Sequence, residues 1–408
     1  MAQNIPTDNG YVVVWQSEGQ DGSGYGIYGQ RYDTNDKSVG GEFQINTHTV
    51  GSQYAPLVSG LVDGSFVVTW NGDDTATGDA SASGISGQRF DADCNAVGDD
   101  FIVNTHLNGN QYATSVTGLV DGGFVVTWTS YDDENGDTSY SSILGQRFNE
   151  DGNAVGDEFL VNTHTVSDQI ESSVTALADG GFLAVWVNGG SANGPTISVQ
   201  RFDAEGYLVG EEFLAHSDAS NFNFSPSATG LRDGGFVVTW DADGDLEGQL
   251  FDASGDKIGL EFQVNTDENA AYSYPSVAAL RDGGFIVTWT STSENRDMDG
   301  ESLEDILGQC FDAHGERIGD DFRINTNADH TQECPSVTGL SDGGFVVTWA
   351  GNSDVTDDSL GYGVFSQHFD ATGNKVGDEY IVNTYIGDYQ RCPGVATLGY
   401  SPVFEKAS

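Results

Sequence analysis

The sequence predicts an all-β protein, a seven-bladed β-propeller with four antiparallel strands in each blade. One tryptophan recurs every 49 to 60 residues, and each one ends a block that resembles GFVVTW. Four-stranded units of this length, repeated seven times, are typical of propellers, whereas a linear β-solenoid usually has shorter repeats and needs capping ends. The seven tryptophans are Trp15, Trp70, Trp128, Trp186, Trp240, Trp289 and Trp349.

Three further short blocks surround each tryptophan block. They resemble PSVTGL, GQRFD and EFLVNT, as at residues 335–340, 145–149 and 158–163. DGG turns and compact Gly-containing links such as NEDGNAVGD join consecutive blocks, and glycine accepts the positive φ that a hairpin needs. Each repeat is therefore an antiparallel meander, which we expect to run PSVTGL, GFVVTW, GQRFD, EFxVNT outward from the axis.

The tryptophan strand is apolar on both faces. In FVVTW, Phe and Trp share one face and Val occupies the other, which suits a strand packed between neighbouring sheets. The chain begins with the block at 10–15 and finishes with an unpaired PGVATL copy at 393–398. We therefore expect this last copy to pair with the first blade and close the ring.

A single propeller domain is predicted over residues 1–408. Its expected repeats lie near residues 10–61, 62–119, 120–177, 178–231, 232–280, 281–340 and 341–398.

The charge narrows the classes of partner. The chain has 63 Asp and Glu against 14 Lys and Arg, a formal net charge of −49. Nucleic acid is excluded, because phosphate binding needs a basic surface. No apolar run is long enough to span or insert into a membrane, and the start MAQNIPTDNG lacks the features of a secretory signal. Either the chain stays inside the cell, or it is a fragment of a longer exported protein whose signal lies elsewhere. We expect a monomer or a module of a longer chain.

The loops that follow the tryptophans are acidic and predict Ca²⁺ as a cofactor. Oxygen ligands with intervening glycine suit the adaptable coordination of calcium. The fourth repeat has no carboxylate in this loop, at 187–195, and solvated acidic turns are the alternative reading. The predicted metal ligands are Asp241, Asp243, Asp245 and Glu247 in DADGDLEG, with Asp132, Asp133, Asp137, Asp297 and Asp299 in other loops.

Loop aromatics are the candidate ligand contacts. Tyrosine rings can stack on sugar rings, although such residues also simply cover blade ends. The predicted ligand-binding residues are Tyr25, Tyr131, Tyr140 and Tyr362. The Gln of GQR and the Asn of VNT are interpreted as structural. Cys334 and Cys392 occupy matching positions one repeat apart, and a disulfide between them is left open.

The blocks DGGFVVTW, EFQVNT and PSV(A/T)xL resemble the repeats of very large secreted bacterial proteins known as RTX-associated or hemolysin-type calcium-binding adhesins. The resemblance covers nearly the whole chain, but the tandem GGxGxDxxx calcium repeat of RTX proteins is absent. It implies an extracellular or cell-surface propeller module and carries no activity with it.

Taken together, these observations predict a non-enzymatic binding or adhesion module, stabilised by calcium and carrying a glycan or cell-surface ligand on its loop face. The alternatives are a polysaccharide-active hydrolase or lyase and a structural spacer of a large adhesin. Seven similar shallow pockets would favour the binder. A single pair of perturbed carboxylates in a central pocket would favour the enzyme.

Overall fold

A computed structural model describes residues 10–72, 83–106, 109–131, 140–191, 194–217, 222–266, 271–296, 302–327, 330–352, 361–387 and 389–399. Within them, 28 strands form seven four-stranded antiparallel sheets, which confirms the predicted seven-bladed propeller. No helix in this part of the chain has the length and apolarity that crossing a membrane requires.

The strands follow one another in the predicted order. Blade 1 contains β1 (Tyr11–Glu18), β2 (Tyr25–Tyr32) and β3 (Ser38–Gln44); blade 2 contains β4 (Gln53–Gly60), β5 (Phe66–Gly72), β6 (Gly84–Phe90) and β7 (Ala96–Ile102); blade 3 contains β8 (Gln111–Gly118), β9 (Phe124–Ser130), β10 (Ser142–Phe148) and β11 (Ala154–Leu160); blade 4 contains β12 (Gln169–Ala176), β13 (Phe182–Ser191), β14 (Gly194–Phe202) and β15 (Leu208–Leu214).

The remaining blades repeat the arrangement. Blade 5 contains β16 (Asn223–Gly230), β17 (Phe236–Ala242), β18 (Asp245–Phe251) and β19 (Lys257–Gln263); blade 6 contains β20 (Ala271–Ala279), β21 (Phe285–Arg296), β22 (Ser302–Phe311) and β23 (Arg317–Arg323); blade 7 contains β24 (Gln332–Gly339), β25 (Phe345–Gly351), β26 (Gly363–Phe369) and β27 (Lys375–Ile381); β28 (Gln390–Thr397) completes blade 1.

The ring closes as the two chain ends predicted. Strand β28 pairs with β1 in the register Tyr11 opposite Thr397, and the Leu398 N–H donates to the Gly10 carbonyl at 2.9 Å. The closing strand therefore comes from the opposite end of the chain to the three strands it joins.

The core lies between the blades. All seven tryptophans are buried, with no more than 1% of their surface exposed. Val125 of blade 3 packs in one cluster with Phe182 and Trp186 of blade 4, so the Val face of one blade meets the Phe and Trp face of the next. Both faces of the FVVTW strand are thus buried between blades, as the sequence predicted. Burying each large apolar side chain stabilises the folded protein by about 1.5–3 kcal/mol.

The DGG turn between the first and second strands of a blade also contacts the third strand. In blade 3, the Gly123 N–H donates to Asp121 Oδ1 at 2.9 Å, and Arg147 of the GQR block lies 3.2 Å from Asp121 Oδ2. Gln146 donates its side-chain amide to the Arg147 carbonyl at 2.9 Å. These side chains serve the scaffold, as the sequence indicated.

The buried asparagine of VNT ties each blade to the chain that follows it. Asn162 accepts the Ile143 N–H at 2.9 Å and donates to the His164 carbonyl and to Gln169 Oε1 at 3.0 and 3.2 Å. In blade 4, His216 Nε2 replaces the amide oxygen and accepts the Ile197 N–H at 3.1 Å.

We expect Asn162→Ala to lower the free energy of unfolding by about 1–3 kcal/mol, because it leaves the buried Ile143 N–H without its acceptor. The exposed Asn153 is the matched control, and Asn153→Ala is expected to change stability by less than about 0.5 kcal/mol. Urea denaturation of the three proteins measures this, and equal midpoints would contradict a structural role for the VNT asparagine.

Candidate functional site at the mouth of the propeller axis

Every innermost strand bulges at the same place. In blade 3 the pairing of β8 with β9 shifts between Tyr112 and Ser115, and Ala113 takes a φ of 52°. The same left-handed conformation recurs at the equivalent position of all seven blades. The seven residues are Ala55, Ala113, Glu171, Ser225, Tyr274, Cys334 and Cys392, with φ between 48° and 57°. We call them the bulge ring.

The seven residues of the bulge ring are strained, because all of them are non-glycine residues with a left-handed φ. A left-handed φ costs roughly 1–3 kcal/mol outside glycine, and such strain persists where the surroundings over-determine it, often at functional sites. A β-bulge also re-aims a side chain and is over-represented beside active sites. The fold therefore directs one side chain from each blade at the axis.

These side chains line a pocket with a volume of about 440 Å³. The pocket lies at the ends of the innermost strands where the loops after the tryptophan strands emerge, on the face opposite the DGG hairpins. Its lining consists of Ala55, Pro56, Leu57, Ala113, Thr114, Glu171, Ser172, Ser225, Pro226, Tyr274, Pro275, Ser276, Cys334, Pro335, Ser336, Cys392 and Pro393.

The pocket is asymmetric although the scaffold is regular. Blades 2 and 3 contribute Ala55 and Ala113, which offer no reactive group. The five blades that complete the ring contribute Glu, Ser, Tyr and two Cys side chains. The bulge positions thus differ chemically from blade to blade, so the described residues do not form seven equivalent sites around the axis.

Glu171 and Asp241 form the first carboxyl pair. The Ser225 N–H donates to Glu171 Oε2 at 3.0 Å, which holds that carboxylate at the pocket wall. Burial, and to a smaller extent the charges of Asp243, Asp245 and Glu171, raise the pKa of Asp241, although the Gly244 N–H donates to its Oδ1 at 3.1 Å. A carboxyl with a raised pKa therefore lies within the electrostatic reach of Glu171, which lines the pocket.

Glu304 and Glu333 form a second pair on the far side of Tyr274. Burial, followed by the charge of Glu333, raises the pKa of Glu304. The Arg391 guanidinium lies 3.7 Å from Glu333 Oε1 and stacks over the rings of Tyr362 and Tyr389, at 4.2 and 4.9 Å from their centroids. The cation is thus ordered by an acid and two aromatic faces.

Tyr274 lies between the two carboxyl pairs. Burial raises the pKa of its phenol, and so do the charges of Cys334, Glu171, Glu333 and Glu304. It is 58% exposed, so its ring is open to a ligand that enters the pocket.

The predicted tyrosines lie on this same face. The charge of Glu171 acts on the phenol of Tyr131, and Arg391 and Cys392 act on that of Tyr25. Tyr140 is 77% exposed and packs edge-on against Tyr131 at 5.7 Å between ring centroids. Tyr362 is the partner of Arg391 described above. None of these four tyrosines is among the residues that line the pocket, and their role in binding stays a prediction.

The predicted calcium ligands of DADGDLEG lie in a tight hairpin. Asp243 and Gly244, with φ of 55° and 95°, connect β17 to β18. Asp245 pairs with Ala242, the neighbour of Asp241, so Asp241 and Asp245 point to opposite faces of the sheet. Asp245 accepts a hydrogen bond from Asn265 Nδ2 at 3.1 Å, and Glu247 lies opposite Trp240 on β18.

In the part of the chain that the structure describes, no three His, Cys, Asp or Glu side chains converge to hold a metal ion. Calcium binding stays a prediction. The other predicted ligands, Asp132, Asp133, Asp137, Asp297 and Asp299, lie outside the described residues.

Sequence reasoning missed Glu171, Glu333 and Arg391, and assigned Glu304 only to an acidic loop. A signal was available. Immediately before the positions that align with SVT of PSVTGL, the seven inner strands read YAP, YAT, IES, FSP, SYP, ECP and RCP. The middle letter is the bulge residue, and it varies although the block that follows it repeats.

We expect Asp241→Asn to stabilise the protein at neutral pH. Because the pKa of Asp241 is raised, ionising this carboxyl costs the folded state more than the unfolded state. That penalty is absent below the unfolded pKa and grows as the pH rises through the folded one. The amide keeps the acceptor for Gly244 N–H and removes the penalty, for a gain of up to about 1 kcal/mol in a half-buried site.

Urea denaturation at pH 7 and near pH 4 measures this effect, with Asp151→Asn on the opposite face as the control. The advantage of Asp241→Asn should shrink toward the acid end. A gain that is equal at both pH values would show that ionisation of Asp241 is not its cause.

No protein-family model and no curated protein matches the chain. Among solved structures, a periplasmic gluconolactonase from Pseudomonas aeruginosa covers 95% of this chain and 99% of its own, with 14% identity and a TM-score of 0.54. A protein of unknown function from Dyadobacter fermentans covers 76% and 93%, with 12% identity and a TM-score of 0.53. An α-L-arabinofuranosidase from Fusarium graminearum covers 67% and 93%, with 14% identity and a TM-score of 0.45. At these identities the likeness shows a shared propeller fold.

The expectation of a non-enzymatic binding or adhesion module is wrong. The gluconolactonase, whose propeller fold this chain shares along nearly its whole length, is an enzyme by name. The geometry agrees with this correction: the described residues form an asymmetric pocket at the axis, and two carboxyls whose pKa is raised, Asp241 and Glu304, act on residues that line it.

Proposed function

We propose that the protein is a carbohydrate-active hydrolase that cleaves a glycosidic bond in the pocket at the mouth of the propeller axis. The observation that carries the proposal is the pair formed by Asp241, whose pKa is raised, and Glu171, which lines the pocket. Glycosidases divide acid catalysis and base or nucleophile catalysis between two carboxyl groups in this way.

Asp241 and Glu171 take the two catalytic roles. Asp241, protonated, donates its proton to the glycosidic oxygen as the bond to the departing sugar breaks. Glu171 acts on the other side of the sugar, either on the anomeric carbon or on the attacking water, and the Ser225 N–H holds it in place. If Glu171 attacks the anomeric carbon, Asp241 takes the proton of the water that then releases the sugar from Glu171, which restores both groups. If Glu171 instead activates the water, it takes that proton itself and passes it to solvent, from which Asp241 is reprotonated.

The remaining side chains around the pocket position the substrate. The exposed ring of Tyr274 and the ring of Tyr362 offer apolar faces for sugar stacking. Arg391, fixed by Glu333 and two tyrosines, offers donors to sugar hydroxyl groups.

The net charge favours a neutral substrate. A formal charge of −49 repels polyanions over the distance of a Debye length, and Arg391 is already paired with Glu333. We therefore infer that the substrate is a neutral polysaccharide or oligosaccharide. The resemblance to a gluconolactonase across 95% of the chain makes sugar lactones the second class to test.

The test incubates the full chain with neutral polysaccharides, uronate-containing polysaccharides and aldonolactones. New reducing ends from a neutral polysaccharide support the proposal, and acid release from lactones alone would move the reaction to ester hydrolysis. An unsaturated product would indicate a lyase. If a folded protein binds a polysaccharide but yields no product with any substrate, the hydrolase proposal is wrong.

The variant Glu171→Gln tests whether the reaction takes place in the pocket. Glu171→Gln should keep the fold and lose the reaction, whereas Asp151→Asn should retain it, because Asp151 lies in an exposed hairpin on the opposite face. Equal activity of Glu171→Gln and the wild type would place the reaction elsewhere.

A further inference from the structure

Two cysteines face each other in the bulge ring. Cys334 of β24 and Cys392 of β28 occupy equivalent positions in adjacent blades, with φ of 55° and 50°, and both line the central pocket. The other two cysteines lie elsewhere: Cys94 is in the turn between β6 and β7, and Cys310 is buried in β22. Only the ring cysteines therefore have a geometry that brings two thiols together.

The two thiols are within hydrogen-bonding reach. The hydrogen bond to Cys392 is the first cause, ahead of burial, that raises the pKa of Cys334, and the same contact lowers the pKa of Cys392. The first proton thus leaves more readily than it would from an isolated buried thiol, and the remaining S–H stabilises the thiolate.

Neighbouring bulge residues are close enough for side-chain contact elsewhere in the ring as well. Glu171 reaches the backbone N–H of Ser225, the next bulge residue, at 3.0 Å. Because the bulge aims every side chain at the axis, a short side chain such as cysteine meets its counterpart from the next blade. The contact of the two thiols therefore follows from the repeat, given cysteine in both positions.

We propose that Cys334 and Cys392 form a reversible disulfide that ties the closing strand β28 to the last blade. This goes beyond the proposed hydrolase function and does not depend on it. Strand β28 joins blade 1 through its pairing with β1. The disulfide would add a covalent link on its other side, between the bulge of β28 and the bulge of β24, and we call this link the clasp.

The oxidant is a low-molecular-weight disulfide. The Cys392 thiolate attacks one of its sulfurs, which forms a mixed disulfide and releases one thiolate. Cys334 loses its proton and attacks the Cys392 sulfur, which closes the protein disulfide and releases the second thiol. Two protein thiols are oxidised and one small disulfide is reduced to two thiols, so atoms and electrons balance.

The consequence is a redox-dependent stability. A cross-link between residues 334 and 392 restricts the unfolded chain over the whole of blade 7 and leaves the folded state nearly unchanged. For a chain of 408 residues we expect the melting temperature of the oxidised form to lie about 5 °C above that of the reduced form.

The experiment treats the folded full chain with oxidised glutathione, blocks the remaining thiols, and measures the intact mass, the cross-linked peptide and the melting temperature. We expect the loss of two hydrogens, one peptide pair containing Cys334 and Cys392, and the rise in melting temperature, all reversed by a dithiol reductant. Cys94→Ser should behave like the wild type.

Cys334→Ser and Cys392→Ser should each abolish both the mass loss and the melting shift. Since serine is close in size to cysteine and the equivalent position of blade 5 is already Ser225, these variants should fold. A folded protein that keeps four free thiols, forms only mixed disulfides with glutathione, or gives linked peptides containing Cys94 or Cys310 would overturn the proposal. If the disulfide forms but the melting temperature is unchanged or lower, the disulfide does not stabilise the propeller, and its role as a clasp is wrong.

Discussion

Asp241→Asn is expected to lower kcat for cleavage of the neutral polysaccharide by about 10²- to 10⁴-fold, because an amide cannot donate the proton that the departing sugar oxygen needs. The KM should change little, since Asp241 acts on charge that develops in the transition state. Steady-state kinetics on the wild type, Asp241→Asn and Asp151→Asn measure the effect, and the last should stay within about twofold of the wild type.

The pH profile separates catalysis from a structural role. A general acid must be protonated, so the wild-type rate should fall as the pH rises through the raised pKa of Asp241. Asp241→Asn should lose this alkaline limb along with most of its rate. If Asp241→Asn stays active while Glu304→Gln loses activity and the limb, the acid is Glu304, and the role given to Asp241 is wrong.

A chain that ends at residue 389 is expected to lose its cooperative unfolding transition. It lacks β28, which leaves the edge of β1 unpaired and removes the buried side chains Val395 and Leu398 from between the blades. The lost burial alone amounts to roughly 5 kcal/mol, comparable to the whole net stability of many domains. Thermal unfolding followed by circular dichroism, with size-exclusion chromatography, measures the result.

A circular permutant is the matched control for this truncation. Residues 390–399 are placed before residue 10 through a short glycine-rich linker, so that all four strands of blade 1 become contiguous and every pairing is kept. This protein should unfold cooperatively near the wild-type midpoint. A truncated chain that unfolds at the wild-type midpoint would show that the ring does not depend on β28.

The fold could be predicted because its determinants are repeated. Trp128 and Phe124 must be buried on one face of their strand and Val125 on the other. When seven repeats each need a sheet that is buried on both faces, few architectures other than a ring of sheets are possible. The closing strand was also predictable, because PGVATL had no partner within its own repeat.

The candidate site was predicted only in part, because its residues break the repeat. Tyr25, Tyr131 and Tyr362 could be placed on the loop face from topology. Glu171 could not be distinguished from other acids, because its significance depends on a backbone bulge that turns it toward the axis.

Asp241 illustrates the same limit. It was singled out because aspartates alternate in DADGDLEG, which indicated calcium. In the structure the hairpin points Asp241 and Asp245 to opposite faces of the sheet, and the charge of Glu171, which is distant in sequence, also acts on Asp241. The sequence identified the residue, and the proposed chemistry required knowledge of its surroundings.

The bulge ring also bears on how this protein could change. Ala, Ser, Glu, Tyr and Cys are all accommodated there in the same backbone conformation. Some positions are coupled to a neighbouring blade, as Glu171 is to Ser225 and Cys334 is to Cys392, and substitutions there should not be additive. Ala55 and Ala113 carry no polar side-chain group, so they are the positions at which a larger side chain would add a new contact to the pocket wall.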